Sequence, residues 1–389
     1  MKYEIGRNLE LTREDTLLLL AARTEINEEI TSEMTLILQQ GIDWDYLLRR
    51  SKDHKLTPLL YWNLNSICSD SVPLEIMDKF IAFFEENARK NLILTGELIK
   101  ILKSFESNQI CAINFKGPSL ALLAYNNLAL REFIDIDILV NHIDIKKVNN
   151  LMNQLGYVLE SYPEKIDESL YFKTQTEHKF VHKKFGVVIE IHTRLQGHFF
   201  NFPIKPHFIY KNERLDTLKI NNYELKTFST ENLLILLTIH CARHNWSCIS
   251  WICDISELIQ HHKISWSEVM ENASKLGVMR ILLITLSLVK DLFGPEFPDE
   301  INDLFIDDVV HDINIQIQNR LFRGKHHSLT IFDRTYLDLK KRESMKMGLK
   351  DVLCSILKPT YEDFRELPLP SRLFFLYYII RPFLLIRRL

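Results

Sequence analysis

Glycine is the residue this chain almost does without. It occupies 11 of 389 positions, less than half the usual share of about 7%. Few glycines mean few tight turns and few positive-φ positions, so a helix-rich protein is predicted. The two closest, Gly186 and Gly197, stand 11 positions apart. That spacing excludes GxGxxG dinucleotide fingerprints, Walker A loops and GxSxG nucleophile elbows, all of which need clustered glycines.

Other classes fall away on composition. The first ten residues are polar and lack the apolar core of a signal peptide. The longest apolar stretches, 233–239 and 373–380, are shorter than the roughly 20 residues a bilayer span needs. Six cysteines show no CxxC pairing. They read as reduced thiols, and the chain as cytoplasmic. No DNA-binding motif stands out. The net charge is −3, but residues 320–389 hold 15 Lys/Arg against 7 Asp/Glu. That basic end suits either an anionic partner such as RNA or a membrane surface, or plain solvated helix faces. Its last stretch, LFFLYYIIRPFLLIRRL, reads as a core helix with surface arginines or as a peripheral membrane contact, with Arg381-Pro382 interrupting the helix.

Three regions follow from the patterning. Residues 1–107 read as short helices punctuated by Pro58 and Pro73, then a long helix from about Leu74 to Phe105. Its stripe runs through Phe80, Phe84, Asn87, Asn91, Leu94 and Leu98. Residues 108–228 read as an α/β core. Strands are predicted at 110–115, 134–140 and 156–160, with an antiparallel pair at 179–182 and 187–193 turning at 184–186. Residues 229–389 return to helices, including 232–244, 252–260, 267–276 and 279–293.

The DID triplet at 135–137 carries the strongest chemical signal. On a strand, residues i and i+2 point the same way, so Asp135 and Asp137 project together, about 7 Å apart at Cα. Ile134, Ile136 and Ile138 then bury the other face. Paired carboxylates repel unless a cation lies between them. Mg²⁺ takes oxygen ligands and keeps waters and substrate phosphates in its shell. The pair is therefore either a platform for two-metal phosphoryl transfer or the wet side of an edge strand. An EF-hand is excluded, because Leu139 and Val140 fill later loop positions.

Two further segments sharpen the phosphoryl-transfer reading. In VVIEIHT (187–193), Val187, Ile189 and Ile191 share one face, and Val188, Glu190 and His192 the other. A neighbouring strand thus adds Glu190 as a third carboxylate. Lys116-Gly117-Pro118-Ser119 lies between strand and helix. It is an ordinary turn, or a helix N-terminus whose N–H groups suit phosphate, with the Lys116 amine and Ser119 hydroxyl beside them. Arg131 can meet triphosphate oxygens or pair with an Asp of the cluster.

In this order, with the DIDILV strand and the later IEIH strand, the sequence resembles the polymerase-β-type nucleotidyltransferase superfamily. It most resembles bacterial proteins known only as the nucleotidyltransferase family, and is more distantly similar to abortive-infection-type toxin nucleotidyltransferases. The likeness is tight over 108–195 and weaker through HCARHNW…WICDI, which holds His240, His244 and Asp254. The resemblance implies an α+β fold, with a small mixed-sheet nucleotidyltransferase core embedded between an N-terminal helical segment and a C-terminal helical domain. It implies catalytic, metal-holding Asp135, Asp137 and Glu190, carrying two Mg²⁺ or Mn²⁺. Nucleotide contacts would come from Lys116, Gly117, Ser119 and Arg131, although Pro118 splits the superfamily's Gly-Ser signature. The implied reaction transfers a nucleoside monophosphate from an NTP to an acceptor, which is a small molecule, peptide, protein or RNA.

His240 and His244 share a helix face. They are predicted to bind nucleotide, at least one of them lining the cleft opposite Asp135 and Asp137. The alternatives are packing at a junction, or zinc with Cys241, Cys248 and Cys253, whose spacings fit no standard module. A catalytically silent adaptor that keeps the fold is the competing function. An HD-type hydrolase would need its His-Asp pair near other ligands, and His311-Asp312 stands far from them in sequence.

Overall fold

The computed structural model describes residues 11–160, 168–195, 215–322 and 331–388. By its internal contacts the chain divides into two compact units, each assembled from three stretches. The first takes Met1–Ile93, Leu120–Phe133 and Thr230–Glu343; the second takes Leu94–Ser119, Ile134–Ser229 and Ser344–Leu389.

The first unit is helical. Helices Arg13–Ala21, Glu28–Gln39 and Trp44–Asp53 each start at a side-chain cap, where Thr12, Asn27 and Asp43 accept the N–H of Asp15, Ile30 and Tyr46. Leu17, Leu18, Leu19 and Leu20 are all buried. The apolar run near residue 235 lies inside helix Thr230–Arg243, followed by Ile249–His261, Trp266–Leu276 and Met279–Phe293. The last two stop at Gly277 and Gly294, which take left-handed φ of 62° and 72°; glycine does this without a Cβ clash. Helix Leu74–Ser107 starts in this unit and ends in the second. Its two stripe asparagines are buried, and both are used. Asn87 donates to the carbonyl of Ala129 (2.9 Å), and Asn91 to those of Leu128 and Arg131 (2.7 and 2.8 Å).

The second unit is built on a five-stranded mixed sheet. Its strands are β1 (Ala112–Asn114), β2 (Asp135–Val140), β3 (Tyr157–Leu159), β4 (Glu177–His182) and β5 (Val188–His192), in the order β1-β2-β5-β4-β3. Only β2 and β5 run parallel. Ile136, Ile138, Phe180, Ile189 and Ile191 are fully buried, and this shared apolar face fixes the register. Ile134, expected to bury with them, is 53% exposed. It precedes the first paired residue, Asp135 opposite Val188, so no neighbouring strand covers it. A separate hairpin, β6 (Leu215–Ile220) and β7 (Tyr223–Phe228), turns through Asn221 at φ 54°.

At the C-terminal end, helix Tyr377–Arg387 runs straight through Pro382. The expected interruption does not occur. Proline removes one N–H bond, to the carbonyl four residues back. That carbonyl belongs to Tyr378, which is 45% exposed and has water to turn to.

Candidate functional site

The parallel pairing of β2 and β5 places Asp137 opposite Glu190 and Leu139 opposite His192. Side chains alternate across a strand, so Asp135, Asp137, Glu190 and His192 share one face. Ligand atoms of Asp137, Glu190 and His192 all lie within 4.8 Å of one another. His192 Nε2 is 2.9 Å from Asp137 Oδ1 and 3.9 Å from Glu190 Oε2. Lys116 Nζ stands 3.6 Å from the same Asp137 oxygen. Asp135 is two residues away on that face and outside the tight trio; its charge acts on Glu190 and on Lys179 of β4. Glu177, opposite His192 in the β4–β5 register, adds a further acid.

The electrostatics follow from this crowding. Burial, then the charges of Glu177, Asp137 and Asp135, push the Glu190 carboxyl up to about 7. Burial alone would lower the His192 imidazole; its hydrogen bond to Asp137 and the surrounding acids hold it above its ordinary value instead. A face that gathers acids until one resists ionising is a face suited to a cation. The donor set of two carboxylates and an imidazole suits Mg²⁺ on the oxygens and Mn²⁺ on all three.

The scaffold beneath is specific. Asn114 Nδ2 donates to the main-chain carbonyl of Asp137 (2.7 Å), and the Ser119 hydroxyl donates to Asn114 Oδ1. All three residues are buried. One amide thus ties β1 and the first turn of helix Pro118–Tyr125 to the backbone of β2 where Asp137 projects. Phe115 lies edge-on to the His192 ring at 5.5 Å. Gly117 makes the corner at φ 55°.

Of the residues expected from sequence, Asp137, Glu190 and Lys116 come together, with Asp135 on the same face and Gly117 and Ser119 at the adjoining corner. Ser119 spends its hydroxyl on Asn114. Arg131, His240 and His244 belong to the first unit. The Arg131 guanidinium grips Asp254 with Nε and Nη2 at 2.8 and 3.0 Å, and Tyr125 donates to the same carboxylate at 2.8 Å. His240, His244 and Trp251 form a ring cluster with centroids 4.8–5.1 Å apart. The trio of Asp137, Glu190 and His192 is the one metal-capable group among the described residues; Cys241, Cys248 and Cys253 are buried thiols. His192, Glu177 and Asn114 were not among the expected site residues. Strand alternation alone carries a signal for His192, since it shares its face with Glu190.

Residues 40–294 match the family described as "Uncharacterised nucleotidyltransferase", a stretch that holds every residue of the site. No curated protein matches the chain.

Proposed function

The chain belongs to the uncharacterised nucleotidyltransferase family, and on that premise we propose that it transfers a nucleoside monophosphate from an NTP to an acceptor, releasing pyrophosphate. The observation that carries the reading is the register of Asp137 against Glu190, with ligand atoms within 4.8 Å. Asp137 and Glu190, with Asp135 beside them, would hold Mg²⁺, two ions in the superfamily's arrangement, or Mn²⁺. When bound, the metal supplies Lewis-acid neutralisation of the phosphate oxygens.

The chain's own residues do the rest. Lys116, 3.6 Å from Asp137, brings a positive charge to where the phosphates would lie. The Gly117 corner lets backbone approach them closely. An acceptor atom attacks the α-phosphorus, the bond to the bridging oxygen breaks, and pyrophosphate leaves with that electron pair. Where Glu190 is not spent on the metal, its carboxylate takes the acceptor's proton. Ser119 serves through Asn114, holding the strand that presents Asp137. Arg131, His240 and His244 enter as nucleotide contacts to be tested by affinity.

The test incubates the protein and Mg²⁺ with each labelled NTP and fractionated cell extract. Label should move to one fraction in the wild type and not in Asp137→Ala. NTP binding without transfer in every fraction would make the protein a silent adaptor.

A further inference from the structure

In the C-terminal stretch of the second unit several charged and polar groups are turned inward. Arg381, 6% exposed, donates from Nε and Nη2 to the carbonyl of Ser355 at 3.1 and 3.0 Å, and from Nη1 to the Thr360 hydroxyl at 2.9 Å and to Asp363. Asp363 is fully buried and also takes Arg388 at 2.9 Å. Glu366 is held by Arg387 and Arg388, and Glu362 by Arg365. Tyr377 is buried and bridges Leu367 and Leu369 through its hydroxyl. These bonds tie helices Met345–Leu357, Tyr361–Glu366 and Tyr377–Arg387 to one another, and large apolar side chains are left among those exposed to solvent.

On helix Tyr377–Arg387 the outward row is Ile379, Phe383 and Ile386, at 61%, 68% and 67% exposure. On helix Met345–Leu357 it is Met345, Leu349, Leu353 and Leu357, all exposed at a spacing of four. Rows of large exposed apolar residues on a folded surface mark an interaction site. The neighbouring row of the second helix holds Lys346 and Lys350, and Arg372 precedes the last helix. All three are exposed and stand in no ion pair among the described residues. Glu362, Asp363 and Glu366, by contrast, are paired with the segment's own arginines. Each helix therefore shows an apolar row, and on helix Met345–Leu357 exposed lysines stand beside it.

We propose that this face docks on an anionic lipid surface, with Phe383, Ile379 and Ile386 entering the acyl boundary and Lys346, Lys350 and Arg372 meeting headgroup charges. Charge decides the occupant. A second copy would bring its own lysines against these, whereas anionic headgroups complement them. No described helix is long and apolar enough to cross a membrane, so contact is peripheral.

The experiment is co-sedimentation of the full chain with phosphatidylcholine vesicles, with and without phosphatidylglycerol. Wild type should pellet with the phosphatidylglycerol vesicles, weaken as salt rises, and bind pure phosphatidylcholine poorly. Ile379→Ser/Phe383→Ser should abolish binding. Lys346→Glu/Lys350→Glu should weaken it by more than roughly tenfold. Both variants replace exposed side chains, so circular dichroism and melting should match wild type. Failure to bind any vesicle, or binding unchanged by both variants, overturns the proposal. So does concentration-dependent dimerisation that the apolar pair abolishes, or capture only by a protein partner. None of these readouts depends on nucleotidyl transfer.

Discussion

Asp137 is held from several sides, since one of its oxygens faces both His192 and Lys116 while its own carbonyl is pinned by Asn114. Asp137→Asn keeps the shape and removes the charge. It should cut transfer by more than about a hundredfold with the circular dichroism spectrum unchanged, as expected for loss of a group that holds metal. In the first unit, Asp254→Asn breaks a buried pair and removes the carboxylate charge that the Arg131 guanidinium grips. A loss of about 3–5 kcal/mol in denaturant unfolding is expected. His178 offers a test by pH. Burial, then the charge of His192, presses its ring down to about 3, and Tyr171 and Phe172 pack against it at 5.5 and 5.0 Å. Below about pH 6.5 the unfolded chain takes up a proton that the folded ring refuses. Stability should therefore fall as pH drops toward 3, by up to about 1.4 kcal/mol per pH unit from this group. His178→Phe should flatten that slope in melting curves taken across the range.

Individual elements show how far sequence pattern reaches. β2 and β5 are legible because their isoleucines alternate with acids at the period of a strand, although most residues of both strands are buried on either face. Helix Met279–Phe293 was readable to the residue, since a left-handed glycine ends it. The β6–β7 hairpin escaped notice. Its apolar residues are sparse, and its turn uses Asn221 rather than the glycine that usually advertises one. Asn114 was equally silent, because a hydrogen bond between a side chain and a distant main-chain carbonyl leaves no periodic trace. Arg131 is expected to meet triphosphate oxygens or an Asp of the cluster; in the structure its guanidinium bonds Asp254, a partner that no local pattern announces. The Asn114 latch can be measured directly. Asn114→Ala removes the hydrogen bonds it makes with the Ser119 hydroxyl and the Asp137 carbonyl, so a destabilisation of about 1–3 kcal/mol is expected in chemical unfolding. Transfer should fall with it, and Asn114→Ala should lose more than Ser119→Ala, which removes only one of the two bonds.

For the molecule as a whole, metal binding should register as stability. A ligand bound only by the folded state adds about 2.7 kcal/mol at a hundredfold excess over its Kd. Mn²⁺ or Mg²⁺ should raise the wild-type melting temperature by several degrees and leave Asp137→Asn where it was; an equal rise in both would place the metal elsewhere. The two-unit layout has its own consequence, which concerns time rather than space. Leaving aside Ser344–Leu389, the second unit's stretches have all been synthesised by residue 229, whereas the first unit's opening helices lack their last stretch until residue 343. At ribosomal speed that delay is on the order of ten seconds or more. Throughout it, Leu17 to Leu20 have no finished core to enter. The nascent chain thus completes its carboxylate-bearing sheet early and carries an unfinished helical half, a long-lived client for whatever cellular machinery shelters exposed leucine.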